Sequence, residues 1–174
     1  MQDDPSDERQ LLTWVPRLRR YARALARNRD DADDLVQDTL ERAWAKSALW
    51  HGSSQVRDMR AWLFSIMHNL HVDGIRRPKL VTVMMDEDTP EVAMAPTQGE
   101  RLAVLDLQAA LDLLPTEQKE IVLLVALEDM AYADIATTLG IPIGTVMSRL
   151  SRGRERLRAS MEGRDEPVRL KVVK

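Results

Sequence analysis

Residues Tyr132–Arg158 read YADIATTLGIPIGTVMSRLSRGRERLR, and this stretch decides the fold. A short helical pattern over Tyr132–Leu139 meets Gly140-Ile141-Pro142, and a longer one runs from Ile143 to about Met161. Short helix, glycine-containing turn and longer basic helix form the helix-turn-helix pattern. Gly140 stands where the turn needs a residue that tolerates positive φ. Ile135, Leu139 and Ile141 are apolar, and Val146, Leu150, Gly153 and Leu157 make one buried stripe at i, i+4, i+7, i+11. Thr145, Ser148, Arg149 and Arg152 make a second stripe at i, i+3, i+4, i+7, directed away from the core. Guanidinium and hydroxyl groups on one exposed helix face suit the major groove: Arg bonds a guanine edge in bidentate fashion, and Ser or Thr meets phosphate or base. Arg154, Arg156 and Arg158, further along, suit phosphate. A solvated basic face is the competing account of any one such helix.

Working outward, a helix carrying Leu102, Leu105 and Ala109 reaches Leu114, and Pro115-Thr116 starts the next, with Ile121–Leu127 inside it. Upstream, residues 78–100 hold Pro78, Pro90, Pro96 and Gly99 with no sustained period, which reads as an acidic extended linker. Before it, residues 9–77 carry three helical patterns. Pro16 suits a first helical turn, followed by Leu18, Tyr21, Ala22 and Leu25 at helical spacing. After a break at Asn28–Asp31, where an Asp can cap, Val36, Leu40, Ala43 and Trp44 line one face of the second helix. Asp34, Gln37, Asp38 and Glu41 line another. Trp50–Ser54 reads as a loop. The third helix buries Trp62, Leu63, Ile66, Met67 and Leu70 and ends before Pro78.

The whole chain has 174 residues, 44% hydrophobic and 30% charged, with 7 Gly, 2 Tyr and 1 Phe, a composition suited to helix and poor for sheet. Having no cysteine, it can form no disulfide and no thiolate site. No apolar run spans a membrane, and Met1–Pro5 is acidic, unlike a signal peptide, so a soluble cytoplasmic all-α protein is expected. The net charge of −3 hides an ordered alternation. Arg17–Arg29 holds six Arg and no acid, and Asp30–Glu41 holds six acids and no base. Residues 78–100 have five acids against Lys79, and 101–142 have seven acids to two bases. Residues 143–158 then set five Arg against Glu155. Such blocks suggest surfaces with different partners.

Several of these stretches resemble extracytoplasmic-function (ECF) sigma factors. Asp33-Asp34-Leu35-Val36-Gln37-Asp38-Thr39-Leu40-Glu41-Arg42-Ala43-Trp44 resembles the family's second region. Arg60-Ala61-Trp62-Leu63-Phe64-Ser65-Ile66-Met67-His68-Asn69 resembles the helix that meets the −10 element. Leu114–Gln118 and Ile141–Leu150 resemble its −35-binding domain. The match covers nearly the whole chain, in order. It implies two small helical domains, at 9–77 and 101–161, joined by the linker 78–100, and a function in directing promoter recognition and strand opening by RNA polymerase at a restricted, stress-responsive set of genes.

By that resemblance, Asp34, Gln37, Asp38 and Glu41 dock on the clamp helices of core polymerase, where a carboxylate face complements a basic coiled coil. Thr145, Ser148, Arg149, Arg152 and Arg154 bind the −35 element. The loop Trp50–Arg57 and Asn69 take an extruded −10 base: an amide offers one donor and one acceptor, and extrusion costs a few kcal/mol. Trp50 is either a stacking surface or a core residue. Arg76 and Arg77 are phosphate contacts or helix-end charges, and Arg19, Arg20 and Arg23 extend the same basic surface. The linker threads toward the polymerase cleft, or is a plain tether. An anti-sigma partner holds the protein inactive until a signal arrives. No cofactor and no membrane insertion are implied. At Met147 the family often carries a basic side chain, whose absence removes a phosphate or base contact.

Four rivals compete with this assignment. A stand-alone helix-turn-helix regulator leaves the Asp33–Trp44 and Arg60–Asn69 motifs without a role. A sigma mimic that sequesters an anti-sigma factor would carry a phospho-receiver domain, for which 174 residues leave no room, and would not need Arg149, Arg152 and Arg154. A metal site at His68 and His71 lacks a third ligand. An enzyme lacks a nucleophile–base set, a phosphate-binding glycine loop or a paired-carboxylate pocket.

Overall fold

A computed structural model describes residues 5–26, 28–46, 58–76 and 98–162, and all regular structure among them is helical. The helices are α1 (Pro5–Leu25), α2 (Arg29–Trp44), α3 (Met59–Arg76), α4 (Gln98–Asp112), α5 (Thr116–Glu128), α6 (Tyr132–Leu139) and α7 (Ile143–Glu162).

The first half is a three-helix unit. In α1, Leu11, Leu18, Tyr21, Ala22 and Leu25 are buried. The helix begins well before Pro16, which lies inside it rather than in its first turn. An interior proline removes one backbone bond and costs about 3 kcal/mol. Pro16 sits on the exposed face, while Leu11 extends the buried stripe one heptad above Leu18, so packing carries the helix through the proline. The cap of α2 is Asn28, not an aspartate: its side chain accepts the Asp31 backbone N–H at 2.7 Å. Asp30 and Asp31 then sit in the first turn, where the helix dipole favours negative charge. Ala32, Leu35, Val36, Thr39 and Ala43 form the buried face of α2. The Asp58 carboxylate accepts the Arg60 N–H at 2.9 Å where α3 begins. In α3, Leu63, Phe64, Ile66 and Met67 are buried, and Trp62 and Leu70 flank them half-buried. Phe64 meets Tyr21 edge to face, with centroids 5.0 Å apart.

In the second half, α4 starts at Gln98, three residues before the Arg101 start expected from the sequence. Leu102 and Leu105 of this helix are exposed; contact with the core falls at its other end, through Ala110 and Leu111. Buried Lys119 reaches back to Asp112 at 2.8 Å. Gly140 (φ 64) closes α6 in the left-handed region, and the Ile141 N–H bonds back to the Ala136 carbonyl at 3.0 Å. A Cβ on Gly153 would lie 2.9 Å from Val122 Cγ2, so α7 crosses α5 where only glycine fits without a shift.

The halves are not held apart. Helix α1 packs on α5 and α3 on α6, and one hydrophobic cluster runs from Leu11 to Leu150 through both.

Candidate nucleic-acid and polymerase interface

Burial of Val146, Leu150 and Gly153, with Leu157 half-buried, sets the rotation of α7. The opposite side faces solvent. Thr145 and Ser148 are half-exposed, and the Ser148 hydroxyl donates to the Thr145 carbonyl at 3.1 Å. Arg152 is exposed. Arg149, 27% exposed, is held by Glu117 of α5 at 2.8 Å, and Glu117 itself is 67% exposed. A guanidinium held this way keeps N–H groups for another acceptor, and the pair is wet enough to exchange. Arg154 is exposed but turned away from Arg149 and Arg152: it lines an open groove with Tyr132, Met147, Ser151, Glu155 and Arg158. The five −35 candidates therefore divide between two strips of α7.

On α2, Asp34, Gln37, Asp38 and Glu41 are all exposed on one face, and the Gln37 amide donates to Glu41 Oε1 at 2.9 Å. On α3, Asn69 is exposed, and its Nδ2 donates to the Ser65 carbonyl at 2.8 Å. Trp50 and Arg77 lie outside the described residues, as do the loop Gly52–Arg57 and nearly all of the linker. Arg76 ends α3, and its side chain lies outside them too.

A second polar cluster, which the sequence motifs did not single out, lies where the halves meet. Glu128, the last residue of α5, has a fully buried side chain, and Arg17 (Nε and Nη2, both 2.8 Å) and Arg20 (3.2 Å) bond its carboxylate. Arg20 also donates to the Leu127 carbonyl, and Arg60 to that of Glu128 at 3.0 Å. Arg20 is thus committed to α5 rather than to the free basic surface expected of it; Arg19 and Arg23 are exposed. His68 Nδ1 lies 2.9 Å from Glu120 Oε1. Burial, then the charges of Glu120 and Glu128, pushes the Tyr21 hydroxyl well above its ordinary pKa. Burial lowers that of His71. No three metal-ligating side chains converge among the described residues.

Comparison with known proteins assigns this arrangement. The family model for sigma-70 region 4 matches residues 105–157, and that for the sigma2 domain of PhyR matches residues 11–68. The ECF RNA polymerase sigma factor EcfG of Rhodopseudomonas palustris is 37% identical over 150 residues, 86% of this chain and 81% of that one. This chain belongs to the ECF sigma factor family. Among solved structures, the sigma factor RpoE in complex with the anti-sigma factor NepR from Bartonella quintana superposes with a TM-score of 0.72 at 34% identity, covering 89% of this chain and 96% of that one. CnrH in complex with the cytosolic domain of CnrY gives 0.65 at 26%, covering 90% and 88%. The sigma factor is accordingly a two-domain helical initiation subunit whose second half is a DNA-binding helix-turn-helix. Among the described residues no helix is long and apolar enough to cross a membrane.

Proposed function

We propose that this ECF sigma factor brings core RNA polymerase to a restricted promoter set through two modules, residues 9–77 and 101–161, joined by 78–100. The α7 strip of Thr145, Ser148, Arg149 and Arg152 enters the −35 major groove, with Arg154 on the flanking phosphates. Asn69 and the Trp50 loop hold an extruded −10 base, with Arg76 and Arg77 on phosphate. Asp34, Gln37, Asp38 and Glu41 dock on the polymerase clamp. The observation that carries this reading is the exposed α7 strip, oriented by the Gly140 turn and the Gly153 crossing, in a chain whose α2 presents an exposed acidic face. The protein works in the cytoplasm beside polymerase, contributes no catalytic residue, and is released from an anti-sigma partner by a stress signal. That RpoE is solved with the anti-sigma factor NepR supports such a partner here.

The match of residues 11–68 to the PhyR sigma2 domain keeps a sigma mimic as the competing reading. A mobility-shift assay with promoter DNA separates the two. The proposal expects a shifted promoter only when core polymerase and the chain are both present. A shift without polymerase would indicate a stand-alone regulator, and no shift in either case a mimic.

A further inference from the structure

We propose that Met147 reads the C5-methyl group of a thymine in the −35 element, with Ile143 beside it. This deepens the −35 reading of α7 and rests on it. Away from its buried stripe, the first half of α7 is largely polar, with Thr145, Ser148, Arg149, Ser151 and Arg152. Two large apolar side chains break that pattern. Ile143 is 49% exposed and Met147 is 54% exposed. They stand four residues apart, which makes them neighbours on a helix surface. Both fall in the first two turns of α7, which begins at Ile143. The residues that α7 buries are Val146, Leu150 and Gly153, so this pair lies outside the stripe that holds the helix in place.

The second helix of a helix-turn-helix sets its N-terminal residues against base edges in the major groove. Of the four bases only thymine offers an apolar group there, the C5-methyl beside its O4 acceptor. An apolar side chain at that end of the helix therefore has one favourable partner and three poor ones. A thioether is a weak acceptor and donates nothing, so Met147 gains little from polar base edges. It is unbranched and adaptable, which lets it settle on a methyl group. Its neighbours set the register. Ser151 and Arg154 follow at i+4 and i+7, and all three line the open groove beside Tyr132. Arg154 on a phosphate of the flanking backbone would seat a base edge against Met147. Arg149 and Arg152 lie on the other strip, so α7 presents a cationic reader and an apolar reader side by side.

Competition binding of the holoenzyme, core polymerase with the full chain, tests this. The probes are duplexes of a promoter that the holoenzyme transcribes. Each thymine of the −35 element, on either strand, is replaced in turn by deoxyuridine, which lacks only the methyl group. One replacement should weaken binding about fourfold, the ratio that burial of a single methyl group gives. At that position Met147→Ala should bind thymine and uracil equally, whereas Met147→Leu, still apolar, should keep the preference. Met147 is exposed, so both variants should melt near the wild-type temperature. If no uracil weakens binding, or if the penalty persists in Met147→Ala, methyl recognition by Met147 is overturned. A scrambled −35 element separates this from the reading beneath it. Binding that survives scrambling overturns the −35 assignment and Met147 with it. Binding that is lost on scrambling but indifferent to every uracil overturns the role of Met147 alone.

Discussion

Gly153 of α7 lies against Val122 of α5 so closely that a Cβ would meet Val122 Cγ2 at 2.9 Å. This crossing fixes which side of α7 faces solvent. Gly153→Ala is expected to destabilise the protein by about 1–3 kcal/mol, the usual cost of forcing an extra methyl into packed space. Because the obstacle is a side-chain methyl, Gly153→Ala combined with Val122→Ala should recover part of that loss. Thermal melts of the single and double variants measure it.

Arg149→Ala and Arg152→Ala should each weaken −35-dependent binding by about 1–3 kcal/mol with little change in melting temperature. Glu117→Gln should change stability by less than about 1 kcal/mol, since an exposed ion pair contributes little. Competition binding of the polymerase holoenzyme to promoters with intact and scrambled −35 elements reads the first effect.

Asp34 and Asp38 are exposed on α2. Asp34→Lys with Asp38→Lys should abolish co-purification with core polymerase. The melting temperature should stay near wild type, as for surface changes generally.

Asn69 is exposed, and its amide donates to the Ser65 carbonyl within α3. Asn69→Ala should slow strand opening more than closed-complex formation, as read by permanganate footprinting. An equal loss in both steps would place Asn69 outside the base pocket.

Burial lowers the pKa of His71, with the carboxylates of Glu120 and Asp31 opposing and the neighbouring His68 and Lys119 assisting. The unfolded chain therefore binds its proton at higher pH than the folded one. The stability this represents is fully present above about pH 6.5, the ordinary histidine value, and is lost as pH falls below it toward the folded pKa. His71→Gln should flatten this part of the pH–stability profile, measured by melts from neutral to mildly acidic pH.

What was legible in the sequence was local. The Tyr132–Leu139 helix follows from apolar spacing ended by a glycine, and the structure reproduces both bounds. The exposure of Asp34, Gln37, Asp38 and Glu41 follows from the helical period in the same way. Pro16 misled because a proline reads locally as the first turn of a helix, whereas Leu11 and Leu18 are held in one helix by tertiary packing. Arg154 separated from Arg149 and Arg152 because nearness in sequence is not a shared helix face. The Glu128 cluster left no trace, because its arginines lie 108 and 111 positions away, and an acid paired at that distance looks like any surface acid in the chain.

Run-off transcription with purified core polymerase tests the central claim most directly. The account predicts that the added chain produces a transcript from a discrete start site on a cognate promoter, and that scrambling either the −10 or the −35 element removes it. Transcription that stays at the level of core polymerase alone on every template of a genomic promoter pool would contradict it.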